Sequence, residues 1–254
     1  MSYDTTFIGQ SLQGEVLAFA EIDSTNEFLL KNHNTLPTGS LCLAETQTAG
    51  RGRRGRKWFS PNSQNLYFSM LWRYSTEEIQ AEKLPRLSLV CAILLAELLS
   101  ENHVPNVQIK WPNDLYFQGK KAGGILIETV KTATHWTLVI GIGLNLAMEK
   151  VDESIVTQQW AGLGQFQLDR NIIAQQLAEK LQQALIDFPT CHFSNYCDRW
   201  QRFDYFYQKP VTLLQEKESW QGIAQGINAR GELLLQTSSK IYPFAIGETS
   251  LRAG

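Results

Sequence analysis

The chain has 254 residues, 43% hydrophobic and 19% charged, with a formal net charge of -2. That length and balance exclude a disordered or low-complexity protein and allow one large folded unit with a smaller one attached. The slightly acidic total excludes a surface built generally for nucleic acid, so any basic cluster is a local feature.

The first residues, Met1-Ser2-Tyr3-Asp4-Thr5-Thr6, carry no basic stretch followed by an apolar core. No apolar run approaches the roughly 18 residues of a membrane span, so a cytoplasmic protein with no membrane partner is expected. Strand-like runs fall at residues 15–20, 40–45, 65–72 and 107–110. Two more, 115–118 and 122–128, flank Gly119-Lys120-Lys121 as a hairpin, and 135–144 reads as a buried strand. Such short connections predict a largely antiparallel sheet.

Helical patterns interrupt these strands. Asp23 or Ser24 can cap a helix through Lys31, and Pro85 can open one running to about residue 100. Its expected core face is Leu87, Val90, Cys91, Leu94, Leu95 and Leu98; a third helix after Asp169 presents Ile172, Ile173, Leu177, Leu181 and Leu185. From about Tyr205 short strands at 211–215, 221–228, 232–236 and 240–244 predict a small β-barrel, dividing the chain into 1–204 and 205–254. Cys42, Cys91, Cys191 and Cys197 form no C-x-x-C pair, and His33, His103, His135 and His192 form no spaced metal motif, so neither structural zinc nor disulfides are expected.

Gly50-Arg51-Gly52-Arg53-Arg54-Gly55-Arg56-Lys57-Trp58 places five cations and three glycines between two strands. It spells G-x-G-x-x-G, but a dinucleotide fingerprint or a P-loop opens a helix, whereas Phe59-Ser60-Pro61 leads toward another strand. The glycines allow close backbone approach to an anion, and the guanidiniums suit phosphate or carboxylate. A solvated basic loop or a nucleic-acid patch is the alternative. Repulsion among the cations predicts a loop that orders when an anionic ligand neutralises it.

Lys110-Trp111-Pro112-Asn113-Asp114 closes a predicted strand, where Lys110 can stabilise charge developing on a carboxylate and a phosphate. Asn113 and Asp114 suit a ligand or Mg2+, and equally an ordinary turn. Gly123-Gly124 and Gly141-Ile142-Gly143-Leu144-Asn145 put glycines inside apolar strands, through close ligand approach or through a bulge or tight packing. For Ser24-Thr25-Asn26 a helix cap is explanation enough.

Together and in this order, Asp23-Ser24-Thr25-Asn26, the block from Glu45 to Trp58, Lys110 to Asp114, and Gly141 to Asn145 resemble the biotin protein ligase family from about residue 15 onward. The resemblance implies an α+β catalytic domain with a mixed, largely antiparallel sheet, akin to class II aminoacyl-tRNA synthetases, followed by a small SH3-like domain. It implies ATP-dependent activation of biotin to biotinyl-5'-adenylate, with Mg2+, then transfer to a lysine of a biotin carboxyl carrier protein. Ser24, Thr25, Asn26, Gln47, Gly50, Arg51, Gly52, Arg53 and Lys110 then match the biotin site, with Gly123, Gly124 and Gly143 as its floor. Arg51, Arg53, Arg54, Arg56, Trp58, Lys110, Asn113 and Asn145 match the ATP and adenylate site. Lys110 and Arg53 are the expected catalytic residues.

Some relatives carry an N-terminal winged helix that represses transcription; with about 20 residues ahead of Asp23, a ligase without DNA binding is expected. Some relatives form homodimers by aligning their sheets, which the resemblance leaves open here. A lipoate protein ligase is the competing enzyme reading, but such enzymes typically carry an R-R-x-S-G-G-type segment in place of the basic block. A nucleic-acid-binding module using the basic loop with Trp58 and Phe59 is the competing non-enzymatic one.

Overall fold

The computed structural model describes residues 3–62, 65–147, 159–215, 218–247 and 249–253. A short helix, α1 (Thr5–Gly9), precedes a seven-stranded sheet made of β1 (Val16–Ile22), β2 (Leu41–Gln47), β3 (Leu66–Ser75), β4 (Val107–Lys110), β5 (Asp114–Phe117), β6 (Lys120–Lys131) and β7 (His135–Leu144). Their spatial order is β1-β2-β3-β7-β6-β5-β4. Only β1 and β2 run parallel, because α2 (Thr25–Lys31) carries the chain back between them; the other pairs are antiparallel, as the short connections predict. The β5–β6 hairpin turns on Gln118-Gly119, both at positive φ, with Phe117 opposite Lys120. The turn is thus one residue earlier than the expected Gly119-Lys120-Lys121, and Lys121 lies within the strand.

Alternation along the central strands divides the two faces of this sheet. Leu66, Phe68, Met70 and Trp72 of β3, with Leu138, Ile140, Ile142 and Leu144 of β7, enter the main core. That side is covered by α3 (Leu87–Glu101) and α4 (Arg170–Asp187). The expected apolar stripe of α3 is too narrow a description. Leu89, Ala92, Ile93, Ala96 and Leu99 are buried as well, so the helix is enclosed around most of its circumference, with Ser100 and Glu101 exposed at its end. In α4, Ile173, Leu177, Leu181 and Leu185 are buried as expected, but Ile172 is 41% exposed; Ala174 and Ala178 complete the face instead. On the opposite side of the sheet, Leu29 of α2 packs with Cys42, Leu71 and Val139 in a smaller cluster.

After α5 (Cys197–Phe203), a second sheet comprises β8 (Pro210–Gln215), β9 (Glu218–Ile227), β10 (Leu233–Gln236), β11 (Ile241–Phe244) and β12 (Thr249–Ala253). Its order is β11-β10-β9-β8-β12, antiparallel throughout. The expected barrel is therefore not closed: among the described residues β11 and β12 are opposite edges rather than partners. α1, α5 and β12 are not among the elements expected from the sequence. The second sheet is tied to the first. Trp111 Nε1 donates to Gly231 O at 3.3 Å, and in the segment leading to the second sheet Tyr205 N donates to Ile109 O at 2.9 Å while Asp204 accepts from Trp200 Nε1 and Phe206 N, each at 3.0 Å.

Candidate active site

The side of the sheet opposite α3 and α4 carries a cleft of about 910 Å³. Its floor exists because β6 and β7 present hydrogen atoms where side chains would stand. Gly124 pairs with Gly143, and Gly141 shares Gly143's face two residues along. A Cβ on Gly143 would fall 2.5 Å from the Trp58 indole, and one on Gly141 would fall 2.2 Å from Asn26 Oδ1. Close approach therefore explains these two glycines. Gly123 points the other way, where a Cβ would meet Gly143 O at 2.9 Å and Leu144 Cδ1 at 3.2 Å. Its expected place in the cleft floor is corrected to tight packing between strands, since adjacent residues of a strand face opposite sides.

One end of the cleft is polar and buried. Ser24 caps α2 through Glu27 N at 3.4 Å, so the capping explanation holds for it. Thr25 and Asn26, each 4% exposed, are fixed from outside the helix. Gln47 Oε1 accepts from Thr25 N at 2.9 Å, and Gln47 Nε2 donates to Ser60 Oγ at 2.8 Å. Ser69 Oγ lies 2.6 Å from Asn26 Oδ1 and 2.7 Å from Thr25 Oγ1, while Asn26 Nδ2 donates to Glu128 Oε2 at 2.9 Å. The amide and hydroxyls are thus locked in orientation before any ligand arrives.

The other end is cationic. The basic block forms a turn closed by Gly52 N donating to Arg56 O at 2.7 Å and Trp58 N to Gly50 O at 2.9 Å. Among the described residues no helix follows it before β3, which removes the dinucleotide and P-loop readings. Gly50 has no room for a side chain, as a Cβ would meet Trp58 O at 2.4 Å. Arg53 reaches across to Asn113 Oδ1 at 2.9 Å and to Gly247 O at 2.8 Å. Burial, reinforced by Arg54 and Arg56, pulls its pKa below the usual guanidinium value, yet it remains a cation. Arg51 is engaged elsewhere, in ion pairs with Glu27 and Glu128. Arg54, in the left-handed region at φ 60, and Arg56 line the cleft with exposed side chains.

Lys110 ends β4 at the cleft, where burial lowers its pKa, with Arg252 and Arg56 acting in the same sense and Asp114 opposing. Asn113 lines the cleft too, with Nδ2 given to Ile125 O at 2.8 Å. Asn145 joins the floor to the segment beyond it, through Nδ2 to Ala161 O at 3.2 Å. Trp58 spreads over the glycine floor with Nε1 buried and, among the described residues, without a hydrogen-bond partner.

The structure brings into one cleft every residue of the sequence-derived set except Gly123. It adds Gly141, Lys121, Trp160, Ser250 and Leu251 to the lining, and Ser69 behind Asn26. Lys121 pairs with Asp114 at 2.6 Å and lies 5.5 Å from the Trp58 ring centroid. A lysine inside an expected hairpin turn carries no sequence signal of such a position. Ser250 and Leu251 arrive from the second sheet, which no local pattern relates to the first.

Two family models match the chain: the biotin/lipoate A/B protein ligase family over residues 18–145, and the biotin protein ligase C-terminal domain over 208–252. A bifunctional ligase/repressor BirA of Escherichia coli is 44% identical over 249 residues, 97% of this chain and 77% of the relative. A biotin--[acetyl-CoA-carboxylase] ligase of Mycobacterium tuberculosis is 30% identical over 216 residues, 83% of this chain and 78% of the relative. A biotin protein ligase from Aquifex aeolicus, solved in complex with biotin and ATP, superposes with a TM-score of 0.82 at 31% identity, covering 94% of this chain and 99% of the other. Matches that span both sheets and the cleft between their residues establish that the chain belongs to the biotin/lipoate A/B protein ligase family.

Proposed function

We propose that the cleft joins biotin to ATP and then biotinylates a carrier protein. The observation that carries this reading is one continuous cleft, polar and pre-organised at Thr25, Asn26 and Gln47, floored by Gly124, Gly141 and Gly143, and cationic at Arg53, Arg54, Arg56 and Lys110. An apolar ring system with a polar head fits the first part, and a phosphate chain fits the last. The relatives named as biotin ligases, and the similar structure holding biotin and ATP, support the same pairing of ligands.

In the first step a carboxylate oxygen of biotin attacks the α-phosphorus of ATP. The bond from that phosphorus to the bridging oxygen breaks, and pyrophosphate leaves. Lys110 and Arg53 offset the negative charge that both carboxylate and phosphate bring, in a partly dehydrated site where such charges act strongly. In the second step the amine of a carrier lysine attacks the acyl carbon, AMP departs, and the amine's surplus proton is released. The adenylate is the activated species, so no covalent enzyme intermediate is needed. Arg54, Arg56, Trp58 and Asn113 are assigned to the nucleotide in this scheme, with Asn145 supporting the floor.

Among the described residues no group of three or more His, Cys, Asp or Glu forms a metal centre, and Asp114, which lines the cleft, is already paired with Lys121. Mg2+ enters this scheme with the nucleotide, whose phosphates supply most of its oxygen ligands. Its partner is proposed to be the biotin carboxyl carrier protein of a carboxylase, in the cytoplasm. No helix among the described residues is long and apolar enough to cross a membrane.

The test supplies biotin, ATP, Mg2+ and a biotin carboxyl carrier domain, and follows biotinylation of the carrier lysine by mass. A parallel reaction with lipoate and a lipoyl domain separates the two branches of the family. Lipoylation in preference to biotinylation overturns the assignment.

A further inference from the structure

Glu128 lies opposite Val139 of β7, which packs with Leu29 of α2, so its side chain stands on the α2 side of the sheet. Its two oxygens serve different parts of the site. Oε2 accepts from Asn26 Nδ2 at 2.9 Å, at the polar end of the cleft, and Oε1 lies 2.7 Å from Arg51 Nη2, in the basic turn. Glu128 does not line the main cleft. It lines a smaller hollow of about 310 Å³ between the turn and β6, together with Arg51, Arg54, Arg56 and Leu126.

We propose that Glu128 is a positioning residue that ties the basic turn to the polar end of the cleft: one carboxylate fixes the Asn26 amide and, through Arg51, holds the turn against the sheet. This rests on the ligase reading of the cleft. An ionised carboxylate only accepts hydrogen bonds, so it faces Asn26 through the amide NH2 and leaves Oδ1 toward Ser69 Oγ, at 2.6 Å. The amide therefore has one orientation. Repulsion among five neighbouring cations works against a closed turn. Among the described residues Arg51 alone of the five makes ion pairs, with Glu27 on α2 and Glu128 on β6. Glu27 also pairs with Lys31 at 3.4 Å, whereas Arg51 is the one ion-pair partner of Glu128 among the described residues. Removing the Glu128 charge thus acts chiefly on the turn. The Arg51 side chain is 41% exposed and that of Glu128 21%, so dissolved salt reaches the pair and weakens it.

The experiment compares Glu128→Gln with Glu128→Ala in the full chain. Glutamine keeps an oxygen for Asn26 and loses the charge that holds Arg51; alanine loses both. Without ligand, trypsin is expected to cut within residues 51–57 about 10-fold faster in both variants, with cleavage elsewhere at the parental rate. Biotin release from Glu128→Gln, followed by stopped-flow at low salt, accelerates by about 10-fold. Raising the salt from about 50 to about 500 mM speeds release several-fold in the parent and by less than about 2-fold in this variant. A merely structural role for Glu128 predicts the same salt response in both proteins. At equilibrium Glu128→Ala binds biotin about 10-fold more weakly than Glu128→Gln, because the amide is no longer fixed. Parental cleavage at 51–57 in Glu128→Gln, or acceleration spread evenly over the chain, overturns the tie to the turn. Equal biotin affinity in the two variants overturns the fixing of Asn26. If the parent protein binds no biotin, the ligase reading fails, and ligand-free cleavage still decides whether Glu128 holds the turn.

Discussion

Replacing Gly141 with alanine tests the architecture of the polar end in a single atom. The added Cβ would fall 2.2 Å from Asn26 Oδ1, 2.9 Å from Cγ and 3.0 Å from Nδ2. Ordinary contacts begin near 3.5 Å, so Asn26 or the strand must yield by roughly 1 Å. Asn26 has nowhere to go: it is buried, Ser69 Oγ lies 2.6 Å from its Oδ1, and its Nδ2 donates to Glu128 at 2.9 Å. Overpacking of this kind costs about 1–3 kcal/mol, and each hydrogen bond lost with it about 1 kcal/mol. A stability loss of about 3 kcal/mol corresponds to a fall in Tm of roughly 6–12 °C for a chain of this size. The displaced amide should also weaken biotin binding by about 10- to 100-fold, equivalent to about 1.4–2.8 kcal/mol. Titration calorimetry with biotin and scanning calorimetry of the free protein measure the two effects. Ile142→Val, which trims the core side of the same strand, should lower stability modestly and leave biotin affinity unchanged. Gly141→Ala with parental Tm and parental biotin affinity would refute the claim that Asn26 is fixed against β7.

Lys110→Ala is expected to keep the fold but slow adenylate formation by about 100- to 1,000-fold, since a charge aimed at the developing transition state is removed; undiminished pyrophosphate release refutes this role. Arg53→Gly abolishes the bonds to Asn113 and Gly247 and removes a charged donor, so dissociation of the preformed adenylate, followed by stopped-flow, should accelerate by about 10- to 100-fold. An unchanged dissociation rate counts against a clamp at Arg53. Asp204 concerns stability rather than catalysis: burial raises its pKa, against hydrogen bonds from Phe206 N and Trp200 Nε1 and the nearby charge of Lys209. The native state then holds this proton more tightly than the unfolded chain. Its contribution is complete below the unfolded pKa and is lost as pH rises through the folded one. Asp204→Asn should flatten that part of the stability-pH curve in denaturant titrations, and a slope identical to the parent's refutes it.

Much of the site was legible in the sequence because its chemistry is local. The basic glycine block, Lys110 at the end of its strand, the Ser24 cap and the glycines of β7 are each contiguous features whose residue types limit what the backbone and charges can do. Strand and helix positions were legible for the same reason, being written in local periodicity. Period and propensity do not report which side of a strand meets the cleft, and here that depended on register. Gly123 and Gly124 are neighbours with one composition and opposite environments, and only the pairing of Gly124 with Gly143 assigns them.

What tertiary structure alone decided is how charge is shared and what comes from afar. Arg51 and Arg53 look alike in sequence, yet Arg51 is paired with Glu27 and Glu128 while Arg53 spans from Asn113 to Gly247. Lys121 is placed in a hairpin turn by the sequence, yet it lies in β6 and takes the Asp114 carboxylate, while Lys110 donates to Tyr116. Ser250 and Leu251 reach the cleft from a sheet whose amphipathic pattern predicts strands but not where those strands dock. The physical reason is common to all three: sequence fixes the chemistry and local conformation of each group, whereas hydrogen bonds and ion pairs are settled by distances across the fold, which span up to 194 positions in the Arg53–Gly247 bond.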